Sequence, residues 1–142
     1  LKGNADPSFG SGRIQIWQES LKLVPERLWF GGGPDTLAAR IGFSFTRYSE
    51  ELGITIESSI DNAHNDYLNI LVNTGICSLV FYLSALAACI ARAVRRSDRR
   101  QAVLIPLAAV VSYSIQVFFS FSICITAPFF WIALAWCEKS SE

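Results

Sequence analysis

The chain has 142 residues, half of them apolar, and a net charge of zero that is the sum of unlike parts. Residues 1–67 hold six basic and nine acidic side chains; residues 68–142 hold six and three, and five of those six basics lie between Arg92 and Arg100. Charge-free runs of 24 residues (68–91) and 36 residues (102–137) exclude a soluble enzyme, and the one basic cluster is accounted for by membrane topology rather than by nucleic-acid binding.

The chain starts at Leu1, contains no Met, and opens on a polar, Gly-rich stretch unlike a signal peptide. It therefore reads as a piece of a longer protein whose preceding spans deliver residues 1–67 to the outside. In that external half, Ile14, Trp17, Leu21 and Val24 recur at helical spacing, which predicts a helix over Arg13–Val24 with Ser11 as N-cap and Pro25 as terminator. Gly31-Gly32-Gly33-Pro34 then describes a sharp loop before a second helix, Asp35 to about Phe43. Such a Gly-rich turn can cradle a phosphate, but it lacks the Lys-Ser/Thr of a P-loop and reads first as a packed turn. Ser44–Ile60 shows no clear period and is expected to be a flexible connector able to act as a lid.

Asp61 or Asn62 is expected to cap the helix that becomes the first span, which places His64, the only histidine, in its first turn at the outer membrane surface. The run 68–91 is about 36 Å long as a helix, enough to cross a hydrocarbon core of roughly 30 Å. Its polar members, among them Asn69, Asn73 and Ser78, predict packing against other helices or a water-facing cavity. Arg92, Arg95, Arg96, Arg99 and Arg100 mark 92–101 as a cytoplasmic loop. The run 102–137, about 54 Å as one helix, is too long for one crossing and divides into spans 102–120 and 124–137 with a turn near Phe121–Pro128; a re-entrant last segment is the alternative. Pro128 opens or kinks the last helix. The fold class is thus all-α integral membrane, an external helical loop followed by about three transmembrane helices. Cys77, Cys89, Cys124 and Cys137 all lie in apolar stretches with no metal-ligand spacing, and no metal or cofactor is expected.

Three strings in this order resemble the O-antigen ligase family: Ser11-Gly12-Arg13-Ile14-Gln15-Ile16-Trp17, Gly31-Gly32-Gly33-Pro34-Asp35-Thr36, and His64-Asn65-Asp66-Tyr67-Leu68 with Asn73-Thr74-Gly75-Ile76. Two positions depart from the family pattern: Arg27-Leu28-Trp29 intervenes before the glycines, and Cys77 stands where a second Gly is frequent. The resemblance implies the external loop and last three spans of a bacterial cell-membrane enzyme that moves a glycan from an undecaprenyl-pyrophosphate carrier to an acceptor sugar hydroxyl on the external face. By motif position it implies that Arg13 binds the pyrophosphate and His64 acts as the base. Arg47 and Arg40 are further cations in the same external region and candidates to face the carrier, Arg47 ahead of Arg40. Arginine forks onto phosphate oxygens and stays protonated, and a neutral imidazole can take the acceptor proton. Direct displacement without metal would invert the anomeric centre.

Without the resemblance, Arg13 reads as a solvated charge and His64 as an interfacial structural residue. Trp17 and Trp29 are read as packing or interface anchors before sugar stacking. The implied partners are the lipid-linked donor, a glycan or lipid-glycan acceptor and the bilayer, with no nucleic acid. A repeat-unit polymerase with the same chemistry is an alternative reading. So is a non-enzymatic component of an export machine, though only Ser112, Ser114 and Gln116 supply polarity to the second span and no charge does. The 142 residues alone are expected to be inactive, because a carrier cavity needs further helices.

Overall fold

The computed structural model describes residues 12–42, 44–49, 53–97 and 103–139. The expected cap Ser11 and the end of the Arg-rich loop lie outside the described residues. Helix α1 (Arg13–Lys22) follows Gly12, and its last turn tightens as Leu23 donates to the Ser20 carbonyl at 3.1 Å and Val24 to that of Leu21 at 3.2 Å. A 3₁₀ turn at Pro25–Arg27 follows. Helix α2 is one turn, Leu37–Arg40, rather than Asp35 to Phe43. Asp35 (φ 53°) and Gly42 (φ 55°) are left-handed, so the chain turns away on both sides of it.

The connector expected at Ser44–Ile60 is instead an antiparallel hairpin, so the described chain is mostly helical rather than all-α. Strand β1 (Ser44–Ser49) pairs with β2 (Ile54–Ser59), Ser44 opposite Ser59 and Ser49 opposite Ile54. Both strands are rich in β-branched or aromatic residues (Phe45, Thr46, Tyr48, Ile54, Thr55, Ile56), and Gly53 (φ 62°) supplies the turn. Length misled the sequence reading: six-residue strands around a short loop leave too few alternations for a period to stand out.

Helix α3 (Asp66–Ser97) is broken at Gly75, whose φ of 84° and ψ of 176° no helix contains. The bend is large. Tyr67 and Tyr82 would stand about 22 Å apart along a straight helix, yet their ring centroids are 6.2 Å apart. The uninterrupted stretch from Ile76 to Arg95 is about 20 residues, or about 30 Å. Helices α4 (Leu104–Gln116) and α5 (Ala127–Lys139) are 13 residues each; α4 is shorter than the expected span 102–120, and α5 starts and ends later than the expected span 124–137. Pro128 sits in the first turn of α5, where its missing N–H is harmless, so it opens that helix rather than kinking it.

Two apolar clusters result. Ile16, Leu37, Ile60, Ala63, Leu68 and Val72 join α1, α2, the end of the hairpin and the first arm of α3. Leu86, Ala93, Val103, Val110, Phe130 and Cys137 join the long arm of α3 to α4 and α5. Arg92 at the far end of α3 pairs with Glu138 at the end of α5, its Nε donating to Oε1 at 3.1 Å. Among the described residues one helix, α3, is long and apolar enough to cross a membrane, and little of its apolar stretch is covered by the rest of the chain. Ile105, Phe129 and Ile132 are likewise exposed on α4 and α5.

Candidate functional site

The Gly-rich turn and the Asn73-Thr74-Gly75 string form one structure. The break in α3 frees the carbonyls of Val72 and Asn73, which an intact helix would satisfy internally. Gly32 donates to Val72 O at 3.0 Å and Gly33 to Asn73 O at 2.8 Å, while Ile76 donates to Leu28 O at 2.8 Å. A Cβ on Gly31 would overlap the Asn73 carbonyl, and one on Gly75 would overlap that of Trp29. Backbone lies on backbone here, which is why both strings carry glycine. With Gly31 bonded to Arg27 O at 2.9 Å as well, all three glycine amides are committed to protein carbonyls, and none is free to cradle a phosphate.

Arg40 belongs to this lock. Its Nη1 donates to Val72 O at 3.0 Å and its Nη2 to Leu23 O at 3.2 Å, with Glu26 at 3.6 Å. Only 16% of the side chain is exposed. Arg40 is thus a strut between α1, α2 and the broken helix, and its charge is used within the fold.

At the other end of the first arm, His64 lies before the helix rather than in its first turn. Its φ is 50°, left-handed backbone that non-glycine residues seldom adopt, although His tolerates it better than most. Asn62 Oδ1 accepts the His64 N–H at 2.9 Å and shapes this corner. The helix cap is Asn65, not Asp61 or Asn62: its Oδ1 accepts the Leu68 N–H at 3.1 Å. The half-buried His64 ring meets the edge of Phe121, centroids 5.5 Å apart, and neither ring nitrogen has a hydrogen-bond partner among the described residues. An imidazole held by an aromatic neighbour, with both nitrogens available, can accept a proton from a hydroxyl brought beside it.

The residues after His64 grip the last turn of α4 and the connection from α4 to α5. Asp66 N–H donates to Val117 O at 2.9 Å, Ser122 Oγ to Asp66 Oδ2 at 2.7 Å, and Tyr67 OH to Ser114 O at 2.8 Å. Tyr113 OH donates in turn to Ser122 Oγ at 3.1 Å. Phe121 as a neighbour of His64, and Ser122 and Tyr113 as partners of the Asp66 side chain, were not legible in the sequence. The only available signal was the polar Ser120-Phe121-Ser122 turn in an otherwise apolar run.

Arg13 is the first residue of α1, exposed, with no hydrogen bond or ion pair among the described residues. Trp17, one turn on and on the same helix side, meets Phe118 edge-on at 5.8 Å. The helix of Arg13 and the corner of His64 thus converge on one connection, though no direct contact joins the two residues. Arg47 lies in β1 with its Cα opposite Ile56. The described residues contain no cluster of His, Cys, Asp or Glu able to hold a metal ion.

No curated protein and no solved structure matches the chain. Residues 2–83 match the family described as O-antigen ligase, a span that includes the α1 string, the glycine lock and the His64 corner. With more than half of its length matched, the chain belongs to the O-antigen ligase family, bacterial membrane proteins of the ligase and polymerase type in polysaccharide assembly.

Proposed function

We propose that the chain carries the acceptor-activating part of a membrane glycosyltransferase that moves a glycan from an undecaprenyl-pyrophosphate carrier to an acceptor sugar hydroxyl. The observation that carries this reading is His64, a half-buried imidazole with both nitrogens unpaired among the described residues, on a left-handed backbone position. Strained backbone of this kind costs of order 1–3 kcal/mol and tends to occur where a side chain is being aimed.

The acceptor oxygen attacks the anomeric carbon as His64 takes its proton, and the bond from that carbon to the pyrophosphate oxygen breaks. The electron pair leaves with the lipid pyrophosphate, whose developing charge is met by Arg13 and Arg47. Lipid pyrophosphate is already a good leaving group, so guanidinium groups suffice without metal, and a single displacement inverts the anomeric centre. Arg40 is left out because its guanidinium is committed to Val72 and Leu23.

In the membrane, the long arm of α3 crosses the bilayer from Ile76, with Arg92 and Arg95 at the cytoplasmic end. On this reading the first arm of α3 sits with the external layer, with which it shares an apolar cluster, and the membrane region begins at Gly75. Helix α4 then runs back outward and α5 returns as a short pair; the Arg92–Glu138 contact supports this by putting the ends of α3 and α5 on one side. The test is to produce the protein with His64→Ala or Arg13→Ala in cells lacking the native copy and to measure lipid-linked and transferred glycan together. Normal membrane levels with lipid-linked glycan accumulating untransferred support the reading. Wild-type transfer by both variants overturns it.

A further inference from the structure

His64 has no polar partner to fix its ring, so its orientation depends on Phe121. Phe121 lies in the connection between α4 and α5, where residues 120–122 make no backbone–backbone hydrogen bond among the described residues. What holds this stretch is a side-chain chain: Tyr113 OH donates to Ser122 Oγ, and Ser122 Oγ donates to Asp66 Oδ2. Each hydroxyl passes its donor the same way, so the chain ends on a carboxylate acting purely as acceptor. Asp66 is anchored in its own right, since its amide bonds Val117 O at the start of the connection. One residue therefore pins both ends of the segment that presents Phe121, and it stands two residues from the histidine whose ring Phe121 supports.

We propose that Asp66, acting through Ser122, is a positioning residue for His64: it holds Phe121 in place, and Phe121 holds the imidazole in its proton-accepting orientation. This rests on the glycosyl-transfer reading. Asp66 takes no proton and touches no substrate. Losing the Asp66–Ser122 bond lets Phe121 swing away, and the imidazole then samples orientations in which neither nitrogen faces the acceptor. Binding of the lipid-linked donor is little changed, because the cations assigned to it lie elsewhere.

The experiment measures turnover against donor concentration for the whole protein in membranes, with Asp66→Ala, Ser122→Ala, the double variant, Ser122→Thr and His64→Ala side by side at matched levels. The expected result is a fall in kcat of about tenfold for each alanine variant, with apparent KM within about twofold of wild type. The double variant should be no slower than the slower single one, since both remove the same bond. Ser122→Thr, which keeps the hydroxyl, should recover most of the rate. That rescue separates positioning from misfolding. Wild-type kcat in Ser122→Ala, or multiplicative losses in the double variant, overturns the proposal. So does an Asp66→Ala loss far larger than that of Ser122→Ala, because Asp66 would then act directly. If His64→Ala itself turns over like wild type, it is the glycosyl-transfer reading that fails.

Discussion

Ile76 donates its N–H to the carbonyl of Leu28 at 2.8 Å, a bond that an unbroken helix would direct to Val72. The freed Val72 carbonyl takes Gly32 N–H and Arg40 Nη1 instead, each at 3.0 Å. The break in α3 is therefore met from outside the helix at Val72, Asn73 and Ile76, so the groups it frees there do not go unpaired. The Gly-rich turn completes the helix as a second strand of backbone would.

Gly75→Ala tests this lock. A φ of 84° with an extended ψ is accessible almost only to glycine, and the added Cβ would overlap the Trp29 carbonyl. The backbone conformation alone costs of order 1–3 kcal/mol. The expected outcome is a sharp drop in membrane level and thermal stability, with a matched Gly53→Ala variant, whose Cβ meets nothing, showing a much smaller loss.

Arg40→Ala should act on stability rather than on chemistry. It removes charge-assisted hydrogen bonds to Val72 O, which keeps Gly32 N–H, and to Leu23 O, a loss of about 2–3 kcal/mol. Arg40→Lys should recover only part, since a single ammonium cannot reproduce the fork that spans α1 and α3. Thermal unfolding in detergent gives the stability, and turnover per folded molecule should stay near wild type.

His64→Gly separates strain from chemistry. Glycine removes the left-handed penalty of about 1–2 kcal/mol while giving up the ring contact with Phe121. Stability should therefore change by no more than about 1 kcal/mol. Transfer should fall by ~10²–10⁴-fold, the usual share of a general base. A stable His64→Gly protein that still transfers glycan at the wild-type rate would remove His64 from the mechanism.

Trp29 and Phe30 are 65% and 81% exposed, on the turn that docks beside Gly75 at the head of the long arm of α3. If that arm crosses the bilayer, these rings lie at its outer boundary, where amphipathic aromatics settle. In proteoliposomes of a variant whose other tryptophans are replaced by Phe, lipids brominated near the headgroup should quench Trp29 emission more than lipids brominated near the chain ends. Equal quenching by both would place the turn away from the interface.

Much of this could be read from the chain itself. Charge-free runs, the arginines that end the first of them, and the helical spacing of Ile14, Trp17 and Leu21 are local properties, set by hydropathy and by the 3.6-residue period. Arg13, His64 and the three strings were visible for the same reason, as residue types in order. Tertiary structure alone decided that α3 breaks at Gly75, that Arg40 is a strut, that His64 precedes its helix, and that Asp66 reaches Ser122. Those features rest on partners tens of residues away, such as Leu28 for Ile76 and Ser122 for Asp66, and no local period encodes which distant carbonyl or hydroxyl will satisfy a freed backbone or side-chain group.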